Sequence, residues 1–106
     1  MDQGINLAHI VRRVVQDYDG PAIGSKTYYI EDPERQYYLV MVIPDNRRLF
    51  KARAVFMAHI ADELIFIDED TTDRPLYKEL MRAGIPRQKI ILSYAGEEIL
   101  NHEGKK

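Results

Sequence analysis

Gln36-Tyr37-Tyr38-Leu39-Val40-Met41-Val42-Ile43 is the stretch on which the fold turns. After Gln36 every side chain is apolar or aromatic, and the mix of valine, isoleucine and tyrosine suits a pleated surface. Turn formers bracket it, Asp32-Pro33-Glu34 before and Pro44-Asp45-Asn46 after, so it reads as one strand within a series of hairpins. Tyr37, Leu39, Met41 and Ile43 point one way, and Tyr38, Val40 and Val42 the other. A sheet with one wet face alternates apolar with polar residues. This strand does not.

Working outward, Lys26 to Glu31 forms the preceding strand, and Arg48 to His59 a longer following one. A short turn near Ala61-Asp62 leads into a fourth strand, Leu64 to Ile67. Together they predict an antiparallel meander. A helix precedes it over Ile5 to Tyr18, where Leu7, Ile10, Val11, Val14, Val15 and Tyr18 share one face. Asp2 is its expected N-cap, and Gly20-Pro21 its stop. A second helix follows the meander, capped by Thr72 or Asp73 and running to about Ala83. Pro75 is tolerated in its first turn. Gly84 fits the left-handed position past its end, and Pro86 blocks continuation. Lys89 to Ser93 is a fifth strand, and a short helix at Glu97–Asn101 precedes a frayed tail. The fold class is therefore α+β, in the order α-β-β-β-β-α-β. All of residues 1–106 form a single domain with an ordered core over about 5–94 and a marginal tail over 95–106.

Hydrophobic residues at 45% and charged residues at 30% give an ordinary globular balance and exclude global disorder. The net charge of −2 predicts no general attraction to nucleic acid or anionic membranes. The chain has no cysteine, which excludes disulfides, thiolate metal sites and cysteine nucleophiles. No apolar run approaches the roughly 18 residues of a membrane span, and Met1-Asp2-Gln3-Gly4 lacks the start of a signal peptide. The expected compartment is the cytoplasm.

The third strand sharpens the question raised by the second. Phe50, Ala52, Ala54, Phe56 and Ala58 fall on one face, where small alanines let a helix pack closely. Leu49, Val55 and Met57 mix with Lys51 and Arg53 on the other. Two helices cover one face of a five-stranded sheet but not both, so apolar surface is left over. Contiguous patches of that kind mark interaction surfaces. The alternative is a helix on each face, with only scattered hydrophobes exposed. The residues expected to bind a partner are Arg47, Arg48, Leu49, Lys51, Arg53, Val55 and Met57, with Tyr37.

Catalytic signals are thin. Asp68, Asp70, Thr72 and Glu79 occupy the first, third, fifth and twelfth positions of a calcium loop. The sixth is Asp73, however, where that loop needs glycine for its turn. A solvated acidic turn from strand to helix, with carboxylates favoured near the helix N-terminus, explains the run better. His9, His59 and His102 lie on separate elements with no close partner in sequence. Neither Ser25 nor Ser93 sits in a nucleophile motif, and the glycines are dispersed. No cofactor is expected. Arg12-Arg13, Arg47-Arg48, Lys51 and Arg53 would make a basic strip if the fold gathered them. Against that, arginine stems also cover apolar surface while their heads stay in water.

From Ile5 to Tyr94 the chain resembles the XisI-like family, the controlling factors for excision of the fdxN DNA element in cyanobacteria. A helix ending at Asp17-Tyr18 is followed by Asp32-Pro33-Glu34-Arg35-Gln36-Tyr37-Tyr38-Leu39, similar to the family's hairpin. Asn46-Arg47-Arg48 comes next, and then Ile60-Ala61-Asp62-Glu63-Leu64-Ile65-Phe66-Ile67. Last are Asp70-Thr71-Thr72-Asp73, Leu80-Met81-Arg82-Ala83-Gly84-Ile85-Pro86 and Lys89-Ile90-Ile91-Leu92. The residues that carry the likeness are Arg35, Tyr38, Asp62, Phe66, Asp73, Gly84 and Pro86. The sequence departs from the family at Val42-Ile43-Pro44, where the family has Gly-Trp, and at Phe66, where it has tryptophan. The family's strand histidine aligns near Met57, two positions from His59.

The resemblance implies a non-enzymatic accessory factor that binds a nuclease-like partner, XisH, and works beside a site-specific recombinase. It implies no catalytic residues. The first expectation is therefore a controlling factor that binds such a partner, and other copies of itself, through the sheet face and the Arg47–Arg53 region. The second is direct binding to DNA by a recombination accessory factor. The third is a metal-dependent enzyme using the Asp68–Asp73 cluster.

Overall fold

Helix α1 spans Leu7–Gln16. Its cap is Asn6, whose side-chain oxygen accepts the His9 amide at 3.1 Å. The helix thus starts where an orphan amide finds an acceptor, later than an Asp2 cap would have it. The structure is a computed structural model that describes residues 6–18, 24–46, 48–49 and 51–98. Asp2, Gly20, Pro21 and the end of the expected Glu97–Asn101 helix lie outside the described residues.

Five strands follow in the expected order: β1 Ser25–Asp32, β2 Tyr37–Pro44, β3 Arg53–Ala61, β4 Leu64–Asp70 and, after helix α2 Leu76–Arg82, β5 Ile90–Leu92. They lie side by side as β1-β2-β3-β4-β5. The first four are antiparallel, and β5 is parallel to β4. A parallel neighbour needs a crossover, which α2 supplies.

Local chemistry moves several boundaries. Strand β3 starts at Arg53, five residues after Arg48, because the Asn46 side chain accepts the amides of Arg48 and Leu49 at 3.1 and 3.3 Å and folds them into a turn. Strand β4 runs on past Ile67 because Glu69 and Asp70 still pair with Met57 and Phe56. The β3–β4 turn centres on Asp62 and Glu63, both at positive φ, +54° and +62°. That geometry suits the twist of a tight hairpin.

Helix α2 begins later than the expected Thr72 or Asp73 cap allows. Asp70 does the capping from the end of β4: it accepts the Thr72 amide at 2.9 Å and the Leu76 amide at 2.7 Å. At the other end the Ile85 amide reaches the Leu80 carbonyl, and the Gly84 amide the Met81 carbonyl. With Gly84 at φ +106°, this is the left-handed closure that Gly84 and Pro86 foretold. Past β5, Ser93–Ala95 makes a single 3-10 turn. Glu97 is held by the Leu92 amide and by Arg87 and is outside any regular element.

Both helices cover the same face. Val11 and Val15 of α1 and Leu76 and Leu80 of α2 pack with Tyr38, Val40, Phe56, Ala58, Ile65 and Ile67 in one cluster. All but Val40, at 1%, are fully buried. Each buried valine, leucine, isoleucine or phenylalanine among them contributes about 1.5–3 kcal/mol on leaving water. Among the described residues the arrangement with a helix on each face does not occur. Arg12 locks α1 to β1 by a two-bond contact with Glu31 at 2.9 and 2.7 Å, and the Tyr29 hydroxyl adds a third bond to the same carboxylate. The Tyr18 hydroxyl donates to the Arg74 carbonyl while the Arg74 guanidinium lies over the Tyr18 ring, tying α1 to the start of α2.

Candidate functional site

Two irregularities decide which side chains reach the uncovered face. Between β2 and β3, Val40 pairs with Phe56 but Met41 pairs with Ala54, so Val55 is an extra residue. Between β3 and β4, Met57 pairs with Glu69 but Ala58 pairs with Ile67, so Asp68 is an extra residue. A bulge of this kind breaks the simple alternation of side chains. Val55 turns toward the helices and packs against the core cluster, and its carbonyl accepts from the Thr71 amide and hydroxyl. Beyond the bulge Ala54 lies opposite Met41, on the uncovered face, and Arg53 opposite Val42, on the helix side.

This overturns the face expected for the third strand. Ala54 does not share a side with Phe56 and Ala58, and Arg53, Val55 and Met57 do not line one surface. Lys51 and Leu49 precede β3 and are exposed, Leu49 at 73%. Ala52 also precedes the strand, and Phe50 and Arg47 lie outside the described residues. Arg12 also stands apart from the basic residues around Arg48. Arg12 is engaged by Glu31, which pairs with Tyr38 near the start of β2. The Arg48 turn follows Pro44 at the strand's far end, about 20 Å away along β2.

On the uncovered face the register brings three rings into a row. Tyr37 of β2 pairs with His59 of β3, and His59 with Phe66 of β4. The His59 ring stacks on Tyr37 at 4.9 Å between centroids and on Phe66 at 4.9 Å, nearly parallel to the latter at 6°. The bulge turns Asp68 back over this row. Its Oδ2 accepts from the Tyr37 hydroxyl at 2.5 Å and sits 2.6 Å from His59 Nδ1. A carboxylate only accepts, so Nδ1 carries the proton of that bond and Nε2 is the ring's remaining polar atom. Burial, and then the bond to Asp68, pushes the Tyr37 phenol up to about 12. His59 and Asp68 are each about a quarter exposed, so the cluster is fixed by its bonds yet open to contact.

Around these four residues the face is largely apolar, with the carboxylates of Asp32 beside Tyr37 and Glu69 beside Met57. Leu39 pairs with Met57, Met41 with Tyr28, Ile30 with Leu39, and Leu64 with Ala61. Tyr28 and Ile30 are 47% and 45% exposed, and Leu39, Met41, Met57, Leu64 and Phe66 are half-buried. The cluster lies on a broad surface. The groove of about 360 Å³ between α1 and α2 is on the other side of the molecule and is lined by Ile10, Arg13, Val14, Asp17, Tyr18 and Glu79 among others. Aromatic residues with few charges are the composition of interface centres.

Of the sequence-derived partner residues, the structure thus brings Tyr37 and Met57 to the uncovered face, turns Arg53 and Val55 to the helix side, and leaves Arg48, Leu49 and Lys51 exposed ahead of β3. Among the residues of the family likeness, Phe66 stands on this face, and Tyr38 is buried in the core with its hydroxyl unpartnered among the described residues. Arg35 pairs with Asp32 in the first hairpin turn, Asp62 shapes the second, Asp73 is exposed, and Gly84 and Pro86 close α2. His59 and Asp68 were not read as a pair from sequence, where His59 looked isolated. The proposed calcium-loop ligands disperse: Asp68 to the uncovered face, Asp70 to the α2 cap and Glu79 to an ion pair with Arg82. Among the described residues no three histidine, aspartate or glutamate side chains gather as a metal site. Nor, among them, is any helix long and apolar enough to cross a membrane.

A family model described as XisI protein matches residues 1–104. Among solved structures the chain is similar to a XisI-like protein from Anabaena variabilis ATCC 29413, with 28% identity over 81% of this chain and 78% of that one, at a TM-score of 0.62. It shares its fold with the fdxN element excision controlling factor XisI of the same organism, at 24% identity over 83% of this chain and 88% of that one, TM-score 0.66. No curated protein matches.

Proposed function

The chain belongs to the XisI family, and from that premise we propose that it is a non-catalytic controlling factor of DNA-element excision that acts by docking its uncovered sheet face on a nuclease-like protein of the XisH type. The name of the structural relative, an excision controlling factor, supports the process. The single observation that carries the mode of action is the uncovered face itself. There Tyr28, Ile30, Leu39, Met41, Met57 and Phe66 share the face with the Tyr37–His59–Asp68 cluster and are largely apolar neighbours of it.

The physical logic is that of an interface with a prepaid entropy term. Tyr37, His59 and Phe66 are already held by stacking and by Asp68, so little freedom is left to lose when a partner seats on them. The surrounding methionines and leucines supply apolar area, and His59 Nε2 offers one directed polar contact. Such a factor works where the DNA is, in the cytoplasm.

The test is co-expression with the product of the neighbouring gene, followed by light scattering of the purified material. A stable complex is expected, lost when Leu39 and Met57 are both changed to glutamate and kept when Arg48 and Arg53 are changed to glutamine. Recovery of this chain alone would overturn the proposal. The rival, direct DNA binding, requires a gel shift that weakens steeply with salt and is lost in the Arg48→Gln, Arg53→Gln variant.

A further inference from the structure

The charges of the sheet are sorted along its strands. At one end the β1–β2 and β3–β4 turns lie side by side, joined by the bond from the Ile60 amide to the Gln36 carbonyl. These turns carry Asp32, Glu34, Asp62 and Glu63 against Arg35. At the other end β1 begins at Ser25, opposite Pro44, and the chain passes from β2 to β3 over residues 45–52. Here Lys26, Arg48, Lys51 and Arg53 are all exposed. Elsewhere Arg12, Arg35, Arg74, Arg82 and Arg87 each hold a carboxylate. Among the described residues none of the four cations at the β2–β3 end does so, although Asp45 stands in the same connection. The chain leaves β4 at Thr71, whose amide meets the Val55 carbonyl short of Arg53. Of the carboxylates there, Asp70 is committed to the α2 cap and Asp73 is exposed. Arg13 and Lys78 are unpaired among the described residues too, but each stands singly on a helix.

We propose that the β2–β3 end of the sheet is a contact site for the phosphates of double-stranded DNA. Lys26 lies opposite Ile43 on the uncovered face, and Arg53 opposite Val42 on the helix side. They flank β2 on opposite faces of the sheet, about 10 Å apart across two strand spacings. Arg48 and Lys51 stand beyond them in the connection, where the Asn46 side chain pins the Arg48 amide. The major groove, about 12 Å wide, admits a two-stranded ribbon, and its two walls present phosphates to both faces of such a ribbon at once. An acidic peptide laid on one face meets Lys26 or Arg53 but not both. Guanidinium groups with no carboxylate to hold can each take two phosphate oxygens. The acidic turns at the far end repel DNA, so only this end approaches it, whatever the sign of the net charge. Contacts of this kind position the protein without reading sequence. DNA held here leaves the uncovered face open for a protein partner, whereas the rival above puts DNA in that partner's place.

The test is fluorescence anisotropy of a labelled, mixed-sequence DNA duplex titrated with the full chain across a range of salt concentrations. Binding is expected at low salt, with the logarithm of affinity falling against that of salt at a slope of about −3 to −4. The variant Arg48→Gln, Lys51→Gln, Arg53→Gln should bind at least about tenfold more weakly and lose about three from the slope. Lys26→Gln, a single change on another strand, should lose about one. It keeps the test decisive even if the triple variant does not fold. The control Arg13→Gln, Lys78→Gln should bind as the parent does, because its cations stand apart from the site. Absence of binding at low salt would overturn the proposal. So would equal weakening of the control and the triple variant, which reports a general effect of charge. Displacement of the duplex by polyglutamate at equal charge concentration would overturn it as well, making an acidic protein the occupant.

Discussion

On the helix side of the sheet, Tyr38, Phe56, Ala58, Ile65 and Ile67 are fully out of water. On the other side, Leu39, Met41, Met57 and Phe66 stand half in it. The residue types are much alike, and the same strands carry both sets. The faces differ in how polar groups are treated. The covered side holds Tyr38, whose hydroxyl is buried with no partner. The open side holds Tyr37, the adjacent residue, whose hydroxyl is bonded to Asp68 within a row of stacked rings. The fully buried apolar core lies on one face, and the row of rings bonded through Asp68 lies on the other. Selection for folding alone explains the first. The second points to a use outside the domain.

Truncating a ring on each face should separate them most widely. Phe56→Ala is expected to cost about 3–5 kcal/mol in urea unfolding, whereas Phe66→Ala, already partly wet, should cost well under half of that. A pair of similar penalties would erase the distinction between the faces. Next in size, Asp68→Ala removes the acceptor for both Tyr37 and His59 and should cost about 1–3 kcal/mol, with the folded core retained by near-ultraviolet circular dichroism.

The Tyr37 phenol supplies a smaller, pH-dependent effect. Its folded-state value is raised to about 12 by burial and by Asp68, against an unfolded value near 10. Stability from this group is fully present below about pH 10 and is lost as pH rises through the folded value. Comparing thermal melts of the parent and Tyr37→Phe between pH 10 and 12 isolates it: the variant should show the shallower decline. The smallest change belongs to the covered face. Tyr38→Phe removes the orphan hydroxyl and should leave stability unchanged or raise it by up to about 1 kcal/mol. A clear loss would mean that the hydroxyl has a partner after all.

The order of elements was legible because each carries its own local signal: the period of Leu7–Val15, the turn formers around Gln36–Ile43, and the Gly84-Ile85-Pro86 stop. So was the excess of apolar positions over helical cover. What sequence did not show is where alternation breaks. Neither Val55 nor Asp68 is a glycine or has any other mark of a bulge, yet each reverses the facing of the residues beyond it. The Tyr37–His59–Asp68 cluster was hidden for the same reason. Its members lie 9 and 31 positions from Asp68 along the chain, and only the register places them together. The caps at Asn6 and Asp70 were missed because several oxygen-bearing residues stand near each helix start, and only the folded geometry selects among them.

The short β5 has a bearing on how the chain is made. Its three residues, Ile90–Leu92, follow the other four strands along the chain and lie against Ile65, Phe66 and Ile67 of β4. During synthesis the meander and α2 emerge first, leaving that rim of β4 bare and adhesive toward other nascent chains. The Glu97 carboxylate, clasping Arg87 and the Leu92 amide, then fastens the closing strand like a latch. A chain cut short before Glu97 would lack that latch and keep one border of β4 open to other chains.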